Sequence, residues 1–430
     1  MFERWFQLSA RGTSVAIEIR AGLVTFLTMS YILFVNPQVL SEAGLPAADV
    51  AVATALAAAV ATLAMGLLAD YPFALAPGMG LNAYFTYGVV LGMGIEWQVA
   101  LAAVFIEGVL FLLLAFGGVR SAILRAIPQP LKLATMGGIG LFLAIIGFQN
   151  AGWVVDHPAT LVTAGDLSQP AALLALGGLL LIAGLMVRQV RGAILIGIVT
   201  VTIGAWLTGV TQPPQSFFSL PQLPKETLFA VDFSGLLAGK TIMVIAAFLF
   251  VDIFDTAGTL IGVGRLAGLV DENGELPRAD RAFAADALGT SAGALFGTST
   301  VTSYVESATG VEEGGRTGLT AVVVSGLFLL SLFFVPILIA VPAAATAPAL
   351  VAVGALMLRG TRHIDWNSAD VAVPSFLTMV GMPLTYSIAN GISLGIVSWV
   401  VIKSLAGRAR EIHPLLIGVA LALALFYGFR

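Results

Sequence analysis

The chain has 430 residues, 58% of them hydrophobic and only 10% charged, with a mean hydropathy of +0.99, where soluble domains carry roughly 25% charged residues. Apolar stretches of membrane-spanning length recur from end to end, which excludes a sizeable soluble domain. The absence of cysteine excludes disulfides and thiolate chemistry, and the net charge of −4 says little, because in a membrane protein the placement of basic residues matters more than their sum.

Residues 1–20, MFERWFQLSARGTSVAIEIR, are amphipathic and lack the h-region and cleavage site of a signal peptide, so they predict an interfacial helix against membrane lipid. Spans follow near 21–40, 50–69, 72–91, 97–117, 131–149, 170–187, 192–211, 241–267, 282–297, 298–312, 317–340, 343–359, 370–387 and 388–404. An N-terminus on the cytoplasmic side of the cell (inner) membrane then puts sixteen basic residues inside, among them Arg11, Arg120, Arg125 and Arg278, and leaves Lys225, Lys240 and Arg316 outside. This is the positive-inside bias of a fourteen-span chain. The apolar stretch 414–429, within the tail 405–430, exceeds the even count and reads as a further span or a helix lying on the membrane.

Two of the fourteen are poor helices. In the third, YPFALAPGMGLNAYF, Pro72, Pro77, Gly78 and Gly80 predict a short extended stretch and then a half-helix from about Met79. The tenth, GTSTVTSYVESATG, favours a strand, with Glu306 where a half-helix begins. Irregular backbone at membrane depth is tolerated only where protein buries it or it lines a cavity, so both should line the site. Third and tenth are corresponding places in two repeats of seven. LFVN at 33–36 and LFVD at 249–252 match at an offset of 216 residues, in the first and eighth segments. An odd number of spans per repeat makes the halves inverted, joined by the Pro-rich loop 212–239.

The eighth segment carries Asp252 and Asp255 inside the apolar run Thr241–Ala267. An ionised carboxylate at mid-membrane costs roughly 2.5 to 3.5 kcal/mol, so the pair cancels most of the segment's drive to insert and marks an ion or substrate pathway. At helical spacing Asp252, Asp255, Thr256 and Thr259 form one polar stripe, and Gly258 with Gly262 invites close approach of another element. Capping of broken backbone is the alternative role for both acids and for Glu306, and tying helices together the alternative for Asn82. Glu107 reads as a hydrogen-bonding partner of a neighbouring helix or a second proton site. Asp70, Asp286 and Glu18 fall near segment ends, within reach of water, and His157, His363 and His413 fall in loops. Enzyme motifs fail. GLLAGKT at 235–241 and GVGRLAG at 262–268 have the wrong glycine spacing, and DIFD has no second acidic motif to complete a magnesium site. No catalytic residue, metal, cofactor or nucleic acid is expected.

RGTSVAIEIRAGLVTFLTMSYILFVNP, PGMGLNAYF, FVDIFDTAGTLIGV and TSTVTSYVESATGVEEGGRTGLTA together resemble the adenine/guanine/hypoxanthine permeases, a branch of the nucleobase:cation symporter-2 (xanthine/uracil permease) family. The resemblance covers essentially the whole chain. It implies an all-α polytopic protein of the uracil-permease fold, with two inverted repeats of seven spans and short strands in segments 3 and 10. A core (transport) domain, 21–117 and 241–340, would face a gate domain, 131–211 and 343–404, through which relatives on this fold suggest a homodimer. The same motifs imply that Glu306, Asp252, Asn82 and Tyr304, with Val305 and Ala83 beside them, bind a purine base, and that Asp252 and Glu306 couple a proton. Asp255, Thr256 and Thr259 would support them. Thr256 stands where the uracil permease has histidine, and Val305 and Ser307 stand where it has Gly and Asn, departures that favour a purine over uracil. Burial beside a second acid favours the protonated form of Asp252, and a carboxylate with an N–H group makes a strong charge-assisted bond. These expectations amount to proton-coupled purine uptake by an elevator-like exchange. The rivals are an anion transporter on the same fold, which wants positive charge at its site, and a cation channel.

Overall fold

The structure is a computed structural model describing residues 2–115, 127–236, 239–271 and 276–428. The expected end of the fourth span at 116–117, Arg120, Arg125 and Phe429 lie outside the described residues. Among those described, nine helices of 18 to 28 residues are long and apolar enough to cross a membrane, and Ala193–Leu207 and Ala369–Thr385 are shorter apolar helices. Eighteen residues at helical rise reach about 27 Å, close to the hydrocarbon thickness. Their outward faces are apolar, as at Val187, Leu207 and Leu405, so the chain is a helical multi-pass membrane protein.

Its beginning departs from the single helix expected over 1–20. A short helix Phe2–Phe6 and a turn Ser9–Arg11 end at Gly12, whose φ of 64° is left-handed, and a new helix, Val15–Met29, starts from Ser14. The Ser14 side chain accepts from the Ile17 N–H at 3.4 Å, a standard N-cap. The first segment then breaks at Ser30 and Tyr31 before resuming as Ile32–Glu42. Arg316, placed outside in the basic count, is on the same side as Arg11, whose Nη1 donates to its carbonyl at 3.3 Å. Arg11 also pairs with Asp70, which Arg278 shares. Arg11, Asp70, Arg278 and Arg316 therefore gather on one face. A surface hairpin, Val154–His157 with Leu161–Ala164, has no counterpart in the sequence reading.

The third and tenth segments meet at the centre. Leu75–Pro77 and Val301–Ser303 pair antiparallel, in the register Leu75 to Ser303 and Pro77 to Val301, and short helices Met79–Ala83 and Ser307–Glu312 follow. Two strands leave two open edges, and buried in a membrane these edges have no water to bond. Threonines close them. Thr62 Oγ1 donates to the Leu75 carbonyl and accepts from its N–H, both at 2.9 Å. Thr290 Oγ1 does the same for Val301, at 2.8 and 3.1 Å. Each buried backbone group left unpaired costs roughly 1 to 3 kcal/mol. Thr62→Val or Thr290→Val, which strands two such groups, is therefore expected to destabilise the protein by about 2 to 6 kcal/mol. Thermal unfolding in detergent reads this directly, with Thr→Ser at the same positions as the variant that should remain near the original midpoint.

The helices gather in two packed groups. Val15–Met29, Ala47–Ala64, Trp97–Ala115, Gly239–Leu266, Ala279–Phe296 and Gly318–Ser331 surround the strand pair. Gln129–Asn150, Pro170–Val187, Ala193–Leu207, Ala343–Met357, Ala369–Thr385 and Ile388–Leu405 form the second group, with Pro414–Gly428 against its last helix. Within the second group a Cβ on Gly354 would lie 2.4 Å from the Gly140 carbonyl oxygen, so Gln129–Asn150 and Ala343–Met357 touch backbone to backbone. A cavity opens between the two groups.

Candidate functional site

The cavity has a volume of about 450 Å³, within the range of roughly 300 to 1,000 Å³ typical of small-molecule sites. Its floor is the strand pair and the turns after it, Gly78–Gly80 and Thr302–Glu306, and one wall is the eighth-segment helix at Asp255, Gly258, Thr259 and Gly262. The opposing wall, Met136, Val353 and Leu356, comes from the second helix group. Arg359, an exposed residue, stands at the mouth.

Glu306 occupies the N-cap position of Ser307–Glu312 but makes no capping bond with its side chain. The carboxylate is instead held by the Tyr31 hydroxyl, which donates to Oε1 at 2.6 Å. The break between the two helices of the first segment is what puts Tyr31 there. Tyr304 donates to the Pro77 carbonyl at 2.6 Å, which fixes its ring beside that of Tyr31, with centroids 6.5 Å apart. Two aromatic rings and a carboxylate thus share one end of the cavity. Asp255, on the wall formed by the eighth-segment helix, is close enough to Glu306 for their charges to interact, and Val305 also lines the cavity. Half-buried carboxylates of this kind accept N–H groups, and rings stack on flat apolar ligands.

Several expected residues are elsewhere. The polar stripe of the eighth helix is about 100° wide, broader than one cavity wall, and it divides. Asp255 and Thr259 face the cavity, whereas Asp252 and Thr256 are fully buried behind it. Asn82 is buried off the cavity, where its Oδ1 accepts from Ser299 and its Nδ2 reaches the Pro77 carbonyl at 3.5 Å. It ties the third segment to the tenth, and Ala83 is buried beside it without lining the cavity. Gly258 and Gly262 admit no neighbouring element. Added Cβ atoms would meet nothing within 4 Å, so these glycines widen the cavity.

Two acids expected within reach of water are sealed. Asp286 accepts from Thr256 at 2.8 Å and from Ser303 at 3.2 Å. Glu18 accepts from the backbone N–H groups of Arg316 at 2.9 Å and Thr320 at 3.1 Å, and caps the helix beginning at Gly318. Tyr31 is the site residue the sequence reading missed. Its signal was a phenol two residues ahead of the LFVN repeat motif, in a segment taken as unbroken.

A profile described as the Permease family matches residues 16–394. The chain is 45% identical to the guanine/hypoxanthine permease PbuO of Bacillus subtilis, over 97% of this chain and 98% of that one. It is 44% identical to the adenine permease AdeP of Escherichia coli, over 98% and 94%. Among solved structures, the transmembrane domain of a cyanobacterium bicarbonate transporter, BicA, superposes with a TM-score of 0.68 at 15% identity, covering 87% of this chain and 97% of that one. At that identity the likeness is one of fold alone. The sequence relatives are permeases and not enzymes, in keeping with the failed enzyme motifs, and the chain belongs to the xanthine/uracil permease family.

Proposed function

We propose that the chain takes up purine nucleobases (adenine, hypoxanthine or guanine) across the cell membrane in exchange for the free energy of a proton gradient. The observation that carries this reading is Glu306, clamped by Tyr31 at the end of a cavity walled by two tyrosine rings. The purine stacks against Tyr304 and Tyr31 and donates ring or exocyclic N–H groups to the Glu306 carboxylate. Asp255, on the eighth-segment wall, is the acid that takes up the proton from the cavity. Asp252 and Asn82 act from behind, and Thr256 and Thr259 steady the eighth helix. The names of the relatives in Bacillus subtilis and Escherichia coli support a purine. Bicarbonate and other anions fit poorly, because Asp255 and Glu306 face the cavity and Arg359 stands only at its mouth.

Fourteen spans in two inverted repeats accommodate this mechanism. The Thr62–Leu75 and Thr290–Val301 bonds support the repeat, since they join the second to the third and the ninth to the tenth segment in the same way, each at the first residue of its strand. The first helix group is the core domain and the second the gate, with the homodimer formed through the gate. The cavity mouth lies by Leu266 and Arg359, on the cytoplasmic side in the N-terminus-inside orientation. The far end is bridged by the Thr346 hydroxyl of the second group, which donates to Gln38 of the first segment, with Glu42 close to Asn150 beside it. This is an inward-facing state, and sliding of the core along the gate exchanges it for the outward one.

Losing the phenol at Tyr31 removes one bond worth about 0.5 to 1.5 kcal/mol, so Tyr31→Phe is expected to weaken purine binding about 2- to 10-fold, read by isothermal titration. The reading as a whole is tested by competition against labelled hypoxanthine uptake. Unlabelled adenine or guanine should compete, while uracil, bicarbonate and sulfate at the same concentration should leave uptake unchanged. Competition by bicarbonate with none by any purine would replace this reading with the anion transporter.

A further inference from the structure

Behind the eighth helix, away from the cavity, three carboxyl groups from three segments converge in the core. Glu107 comes from Trp97–Ala115, Asp252 from Gly239–Leu266 and Asp286 from Ala279–Phe296, and all three are fully buried. The carboxyls of Glu107 and Asp252 lie beside each other, and Asp286 is close enough to interact with the charge of Asp252 and Glu107. Two neighbouring carboxyl groups can bond each other only when one of them carries a proton. Glu107 Oε2 accepts from Thr300 at 3.4 Å, whereas Glu107 Oε1, Asp252 Oδ2 and Asp286 Oδ1 are buried with no hydrogen-bond donor from the described residues. Among the described residues no arginine, lysine or histidine answers them. Lys132 lies over the Phe254 ring at 5.5 Å, about 200° around the helix from Asp252, and Lys403 is committed to Asp370 at 2.7 Å. Glu312, on the short helix packed against the eighth segment, stands at that helix's far end. Nor do the carboxylates converge as a metal site, since no group of three or more metal-ligating side chains occurs among the described residues.

The cluster is joined to the cavity by hydroxyl groups alone. Thr302 Oγ1 donates to Asp255 Oδ2 at 3.5 Å and lies 2.9 Å from Thr256 Oγ1. Thr256 Oγ1 in turn is 3.4 Å from Asp252 Oδ1 and 2.8 Å from Asp286 Oδ2. A hydroxyl both donates and accepts, so such a chain hands a proton along without holding a charge. We propose that Glu107 and Asp252 form a buried acid pair that stores the transported proton, which reaches it from Asp255 through the hydroxyls of Thr302 and Thr256. The pair keeps one shared proton throughout and gains a second when the base is loaded. In that step Asp255 gives its proton to Thr302, Thr302 gives its own to Thr256, and Thr256 gives its own to the Asp252 carboxylate. Asp255 ends as a carboxylate, both threonines end as they began, and release runs the sequence in reverse. The proton is thereby held where neither the base nor cavity water touches it.

This inference rests on the purine-transport reading, and its test separates the two. One pH unit across the membrane of a proteoliposome drives about tenfold accumulation per coupled proton. With hypoxanthine as the labelled probe, Glu107→Gln is expected to lose that accumulation while retaining exchange of internal for external base, which moves no net proton. Thr256→Val keeps the shape and breaks the relay, so it should lose accumulation likewise, and Thr256→Ser should restore it. The proposal is overturned by Glu107→Gln accumulating like the unaltered protein, or by Thr256→Val matching Thr256→Ser. It is equally overturned if exchange disappears along with accumulation in both variants, since that marks a purely structural role. If the unaltered protein accumulates no purine, the transport reading falls and takes the pair's role with it.

Discussion

Glu306→Gln is expected to weaken purine binding by about 10- to 150-fold, because a hydrogen bond to a charged acceptor is worth roughly 1.5 to 3 kcal/mol and 1.4 kcal/mol is tenfold in affinity. Glutamine keeps the length and volume of the side chain and also presents an amide donor to the N–H groups of the base. Tyr31, which now donates to Oε1 at 2.6 Å, would still find a carbonyl oxygen, so the fold is expected to survive and the loss to appear in binding. Isothermal titration of the purified protein with adenine and hypoxanthine measures it. Unchanged affinity for both would move the base away from the tenth segment.

The second large effect falls on Asp255. It is the eighth-segment acid on the cavity wall, and Asp255→Asn is expected to abolish the roughly tenfold accumulation driven by one pH unit. Equilibrium exchange of base should persist, since asparagine can still bond Thr302. Proteoliposomes with and without the gradient separate the two quantities. Gradient-driven accumulation at the original level in Asp255→Asn would remove this residue from the path of the proton.

The placement of chemistry in the third, eighth and tenth segments was legible in the sequence because helix-breaking residues and buried acids are expensive in lipid and stand out against an apolar background. Pro77 and Gly78 mark the end of one strand, and Glu306 marks the start of the following helix. Which acid faces the cavity was not legible. Asp252 and Asp255 differ by about 60° around the helix, and the sequence cannot say where along that arc the cavity wall gives way to the neighbouring helices. The family motif led to Asp252, and packing of Trp97–Ala115 against the helix, together with the bond from Thr256 to Asp286 beside it, encloses it. Asp286 was misjudged for a related reason. Its distance from the segment end was counted along the chain, whereas Thr256 and Ser303 reach it from other segments. Tyr31 was missed because nothing in the run MSYILFVN marks a helix break at Ser30. Gly258 and Gly262 had the spacing of a packing motif, and only the third dimension distinguishes a groove that receives a helix from one that receives a ligand.

The most direct test of the account is uptake of labelled purine by the purified protein in sealed proteoliposomes under an imposed inward proton gradient. Accumulation of adenine, hypoxanthine or guanine above the external concentration, collapsing when a protonophore is added, is the predicted result. Entry that only equilibrates the base, or accumulation that follows a sodium gradient and ignores the protonophore, would contradict proton-coupled purine uptake.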